Sequence, residues 1–177
     1  MYHLIEGAVA AGERTAALTL EAVDAQDAQR DWIAGHAFEA PPLQPLRLRA
    51  SARPGTMLPA LRQTPVPLMT RALHAAMCEA GVANIDVYAA QIVDADGCLL
   101  SDEHLAFNVV GTLRSGPPCD GARLTTVRLN AAGAGSLLLF RVVDAPYALV
   151  ATRLLRRRLP PQALAQLRFT RAAEWAG

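Results

Sequence analysis

A chain of 177 residues, 52% of them hydrophobic, is long enough to bury a core in one domain or in a domain with a small lobe. Its net charge of +1 gives no reason to expect nucleic acid or an anionic membrane as partner. All 17 basic residues are arginine, which a GC-rich coding bias explains, although single arginines also suit forked contacts to carboxylates.

Residues 2–9 begin as a strand, with Tyr2, Leu4 and Ile5 facing inward, and residues 10–14 turn the chain. Residues 16–33 are ambiguous, because Leu18, Leu20 and Val23 alternate as in a strand while 21–33 has the composition of a helix. Trp32, Ile33 and Phe38 are apolar anchors around a Gly35-His36 turn. The prolines at 41, 42 and 45 exclude a helix interior or a central strand. Leu46-Arg47-Leu48-Arg49 alternates as a half-buried strand does. Arg53-Pro54-Gly55 is a turn. Pro54, Pro59, Pro65 and Pro67 keep 53–67 irregular, with Leu58 and Leu61 as tethers. That Pro-rich segment is the candidate boundary of an N-terminal lobe over 1–52, the alternative to a single domain over 1–177.

The clearest helix is expected over 68–80, where Met69, Leu73, Ala76, Met77 and Ala80 share one face. Thr70 or Pro67 starts it and Gly81 stops it. A strand over 85–93, a hairpin turn at Asp94-Ala95-Asp96-Gly97 and a second strand over 105–113 follow. Residues 124–129 alternate again, and 130–136 is a Gly/Ala turn. The apolar run 137–143 reads as a central strand, Asp144-Ala145-Pro146 as a turn, and 147–151 as another strand. A short helix over 152–159 stops at Pro160-Pro161, and a helical turn precedes a last strand at 168–170. These elements predict an α+β fold, with a largely antiparallel or mixed sheet and one main helix.

Three cysteines at irregular spacing, Cys78, Cys98 and Cys119, suggest reduced thiols instead of a disulfide framework. The first six residues turn polar too soon for a signal peptide, and no apolar run approaches the roughly 18 residues of a membrane-spanning helix. A cytoplasmic protein is therefore expected. His74 and Cys78, four apart on the expected helix, would hold zinc only by converging with Cys98 and His104, and no pair has tight CxxC spacing. Asp94 and Asp96 open like a calcium loop but lack its closing glutamate. Gly133-Ala134-Gly135 precedes a strand and opens no helix, so it is a turn. No catalytic, cofactor or metal residue is nominated. Arg153 and the run Arg156-Arg157-Arg158 form the densest basic stretch, and Glu21, Asp24, Asp27 and Asp31 an acidic one. Each is a solvated face or a contact to an oppositely charged partner. Asn108, inside an apolar strand, is expected to satisfy backbone groups at a sheet edge or corner.

Several of these segments occur in an order that resembles immunity protein family 11 of bacterial polymorphic toxin systems. Trp32-Ile33-Ala34-Gly35 is similar to its early Trp/Gly segment. Residues 66–73 are similar to its helix entry, with Thr70 where Ser is usual. Asn84 to Tyr88, Phe107-Asn108-Val109, Phe140-Arg141-Val142, residues 150–154 and Leu167-Arg168-Phe169 resemble its later strands. Ala89-Ala90 stands where that family has proline, and its glycine before the last Phe is absent. The resemblance, over roughly residues 32–175, implies an α+β fold and stoichiometric neutralisation of a cognate toxin made by the same cell. It implies no chemistry and no specific contact residues.

The expectation is thus a cytoplasmic immunity-type protein, monomer or homodimer, that occludes a toxin or effector encoded nearby. Its candidate contacts are Arg153, Arg156, Arg157 and Arg158, or the face of Glu21, Asp24, Asp27 and Asp31. Two alternatives stand beside it. An adaptor or chaperone for a secreted effector predicts the same fold. A small enzyme predicts a deep pocket gathering His36, His74, His104 or the cysteines.

Overall fold

The computed structural model describes residues 2–21, 30–51, 56–113, 137–143 and 145–171. The turn expected at Arg53-Pro54-Gly55, the strand at 124–129, the Gly/Ala turn at 130–136 and Cys119 lie outside these residues. The fold is α+β. Fourteen strands and three helices are present among the described residues: β1 Tyr2–Gly7, β2 Arg14–Thr15, β3 Ala17–Glu21, β4 Leu46–Ser51, β5 Thr56–Met57, β6 Leu61–Arg62, β7 Leu68–Thr70, α1 Arg71–Glu79, β8 Ile85–Val93, β9 Leu99–Ser101, β10 His104–Val109, β11 Thr112–Leu113, β12 Leu139–Val142, β13 Ala145–Thr152, α2 Arg153–Arg158, α3 Pro161–Ala165 and β14 Leu167–Arg171.

Two sheets carry the molecule. One has the order β11-β12-β13-β1-β14; the other runs β3-β4-β8-β10-β7-β6, with β9 added to β8. Most neighbours are antiparallel, while β4 runs parallel to β8 and β11 parallel to β12. Residues 1–52 supply strands to both sheets: β1 lies between β13 and β14, and β4 lies against β8. The main core fills the space between the sheets, where Ile5, Met69, Phe107, Leu139 and Leu149 meet Leu73 and Met77 of α1 and Leu155 of α2. A second cluster gathers Trp32, Leu48, Leu68 and Ile92, and a third gathers Leu4, Phe140 and Val150. Adjacent residues in one strand join different clusters, as the two-residue side-chain period requires.

That period corrects the helix expected over 68–80. Leu68 and Met69 are both fully buried, but Leu68 packs in the second cluster and Met69 in the main core. They therefore alternate across a sheet instead of sharing a helix face. The helix starts after Thr70, which stays extended and accepts from the backbone N–H of Leu73 at 3.3 Å, satisfying one of the free donors of the first turn. Gly81 ends it at φ +98°, where only glycine is comfortable.

The strand expected over 105–113 is also broken. β10 ends at Val109 in one sheet, and β11 joins β12 in the other. The crossing occurs at Gly111, whose φ is +129°. Asn84 braces it, donating from Nδ2 to the carbonyls of Val110 and Leu139, both at 2.9 Å. The segment 53–67 is less irregular than its prolines suggest, since it holds β5 and β6. Pro146, expected in a turn, sits inside β13 beside a register shift at Arg141/Val142, where a missing N–H is tolerated. At Gly7 the sheets approach so closely that a Cβ would lie 2.1 Å from the Leu61 carbonyl oxygen.

Candidate partner-binding face

The basic run forms because Thr152 caps α2, accepting from the N–H of Leu155 at 3.2 Å. Leu155 and Leu159 are buried, and they set the phase of the helix. Residues 153, 156 and 157 then share the outward face at spacings of three and four. Arg158 falls a hundred degrees on from Arg157 and points elsewhere. Its Nη1 donates to the Ala80 carbonyl at 3.2 Å, so it satisfies the end of α1 instead of joining the face. Of the four arginines named as candidates, Arg158 is exposed but lies off the face that the other three share.

Arg153, Arg156 and Arg157 line a cleft of about 430 Å³ with His3, Leu164 and Arg171. No carboxylate lines it among the described residues. The Arg156 guanidinium lies 5.1 Å above the Phe169 ring, a favourable cation–π distance, and its Nη1 is 3.4 Å from His3 Nε2. His3 is 3% exposed. Burial holds its imidazole below the usual histidine value, and the charges of Arg156, the chain's amino group, Arg171 and Arg153 press in the same direction.

Of the acidic candidates, Glu21 and Asp31 are engaged within the fold. Glu21 accepts from Arg49 Nε at 2.6 Å, lies within ion-pair distance of a second Arg49 nitrogen and is 3.6 Å from Arg47 Nε. Arg49 continues to the Asp94 carbonyl at 3.0 Å and to that of Ala95, which ties β4 to the hairpin after β8. Asp31 caps its own turn, accepting from the Ile33 N–H at 3.1 Å. Asp24 and Asp27 lie outside the described residues.

The histidines named for a catalytic pocket are dispersed. His36 is exposed in the loop before β4, and its carbonyl accepts from Asn108 Nδ2 at 2.7 Å. That bond bears out the role expected of Asn108. His74 on α1 lies 3.4 Å from Cys78. His104 is buried in β10, with Nε2 3.3 Å from the Pro59 carbonyl and Nδ1 3.4 Å from Ser101 Oγ. Cys98 sits on the exposed turn before β9. A shallow cleft of about 580 Å³ between Val9, Leu58 and Gln166 holds none of these groups. Asp94 Oδ1 accepts from the N–H groups of Asp96 and Cys98 at 2.9 and 2.8 Å, which makes it a turn-capping residue.

Sequence reasoning missed two residues. His3 was read only as part of an apolar strand, although an imidazole in the run Tyr2-His3-Leu4-Ile5 is itself a signal. Arg141 is fully buried in β12. It donates to the Pro146 and Tyr147 carbonyls at 3.0 and 3.4 Å, and burial lowers its guanidinium to about 10 against the opposing field of Asp31.

No family model matches the chain, and no curated protein matches it. Among the described residues, no helix is long and apolar enough to cross a membrane.

Proposed function

We propose that this protein is a cytoplasmic immunity-type binding protein, which neutralises a cognate toxin or secreted effector by occluding it one to one. The observation that carries the reading is the face of Arg153, Arg156 and Arg157. Among the described residues, none of these three pairs with a carboxylate of its own chain, whereas Arg47, Arg49 and Arg168 do. Exposed arginines held on a rigid element favour fast, charge-steered association with an acidic surface and supply forked contacts once docked. The reading needs no chemistry from this chain. The resemblance to immunity protein family 11 adds to it, and the quoted residues support it through the fold, since Asn84, Asn108 and Arg141 all act inside the protein.

Co-expression with the product of the neighbouring gene tests the reading. Survival of the host and recovery of a one-to-one complex are expected. Reversal of Arg153, Arg156 and Arg157 to Glu should abolish protection, and Arg14→Glu on the exposed β2 should not. Absence of toxicity to rescue, together with absence of a complex, would remove the proposal.

A further inference from the structure

The cleft around His3 has properties that a merely solvated basic face does not need. Its arginines come from two separate elements, α2 and β14, and meet over the buried end of β1. One of them is held in place on both sides: Arg156 rests on the Phe169 ring and reaches His3 Nε2. A guanidinium can only donate, so His3 Nε2 is the acceptor and Nδ1 carries the proton. That Nδ1 is buried and has no hydrogen-bond partner among the described residues. Buried polar atoms without a partner are uncommon in folded proteins and ask for a cause. Like charges gathered in this way also raise one another's energy, and an incoming anion relieves that cost.

We propose that the cleft lined by His3, Arg153, Arg156, Arg157, Leu164 and Arg171 is a carboxylate pocket that receives the side chains of an acidic segment of the protein partner. The inference rests on the binding reading above and deepens it by naming the anchor. Charge complementarity selects the occupant: the three α2 guanidinium groups of the lining pair with no carboxylate among the described residues, and no acid lines the cleft there. Forked donors suit carboxylates. The pocket lies on an outward helix face, where a loop of a folded partner can reach it.

Occupancy has a signature that a structural role for these residues would not give. Burial first, and then the arginines' field, favour neutral His3. A bound carboxylate cancels part of that field, so the His3 value must rise and binding must take up protons as pH falls through it. The groups that face His3 are Arg153 and Arg156 from α2, Arg171 from β14 and the amino group at the start of the chain.

The experiment is an NMR titration of the His3 ring in the intact protein. A short polyglutamate peptide and inorganic phosphate serve as probes at matched ionic strength. Saturable shifts of the His3 signals with the peptide, and a higher His3 value when it is bound, are expected. The double variant Arg153→Gln/Arg157→Gln should weaken the peptide by about tenfold or more, with melting unchanged and Arg14→Gln as control. Phosphate binding as tightly as the peptide would overturn the carboxylate assignment. Non-saturable shifts, or equal affinity in the double variant, would overturn the pocket. Peptide binding without any protection in co-expression would keep the pocket and remove the immunity reading. Protection that survives Arg153→Gln/Arg157→Gln unchanged would do the reverse.

Discussion

Substitution Gly7→Ala tests the junction of the two sheets. The added Cβ would lie 2.1 Å from the Leu61 carbonyl oxygen and 3.1 Å from its carbon, with Pro59 Cβ at 3.2 Å. Favourable carbon contacts lie near 3.5 Å, so β1 and β6 must part by roughly 1.4 Å. The nearest obstacles are backbone atoms, which cannot rotate away. Overpacking of this kind costs about 1–3 kcal/mol, and the rigidity of both partners places the expected loss at the upper end. For a chain of this size, each kcal/mol lowers Tm by about 2–4 °C, so a fall of roughly 6–12 °C is expected. Gly12→Ala is the control. Its φ is +89° with open space around it, so it carries only a backbone penalty of about 1–2 kcal/mol. Thermal melting followed by circular dichroism, with urea midpoints alongside, measures both. If Gly7→Ala melts with the parent, or above Gly12→Ala, the close approach of β1 to β6 is not a feature of the protein.

Asn84→Ala removes the donor shared by the Val110 and Leu139 carbonyls and should cost about 2 kcal/mol, read from urea midpoints. Arg141→Met should come within about 1 kcal/mol of the parent or above it. Burial lowers the guanidinium to about 10, a cost against the buried charge that offsets the loss of its two bonds to carbonyls. A large drop would mean that the charge is compensated. His104 is held below 6.5 chiefly by burial, so it stays neutral where the unfolded chain is charged. Stability is then full above that value and falls with pH below it. His104→Gln should flatten this loss between about pH 7 and 5, and an unchanged slope would assign it elsewhere. Thr152→Ala should cost about 1 kcal/mol and weaken partner binding further, because the cap sets the phase of Arg153, Arg156 and Arg157.

The sequence was most legible where side-chain period and turn chemistry agree. β8 matches its expected bounds because Asp94 and Gly97 stop it with an unmistakable turn. α2 and its cap were readable from Thr152 and from Pro160. Leu68 and Met69 misled because two buried neighbours fit a helix face and an inter-sheet strand equally well, and only the tertiary fold distinguishes them. Gly111 concealed a change of sheet inside one apolar run, since no local signal says which sheet a strand will join. Of the candidate face, Arg153, Arg156 and Arg157 could have been separated from Arg158 by helical spacing alone. The meeting of α2 with His3 could not, because it depends on β1 lying beside β13.

That placement of β1 has a consequence for biosynthesis. β1, the first of the described strands in chain order, has both of its neighbours, β13 and β14, among the last described residues. Its buried face must wait for most of the chain to be made, because none of its sheet partners lies within the first hundred residues. Such distant pairings close late and fold slowly. A nascent chain halted before residue 145 would present Leu4 and Ile5 without a sheet to enter, and would depend on chaperones until β13 and β14 have been made. The basic face is tied to the same event, since α2 follows directly on β13 and meets His3 only when β1 has been captured. The protein thus gains its proposed binding surface only once the sheet is complete.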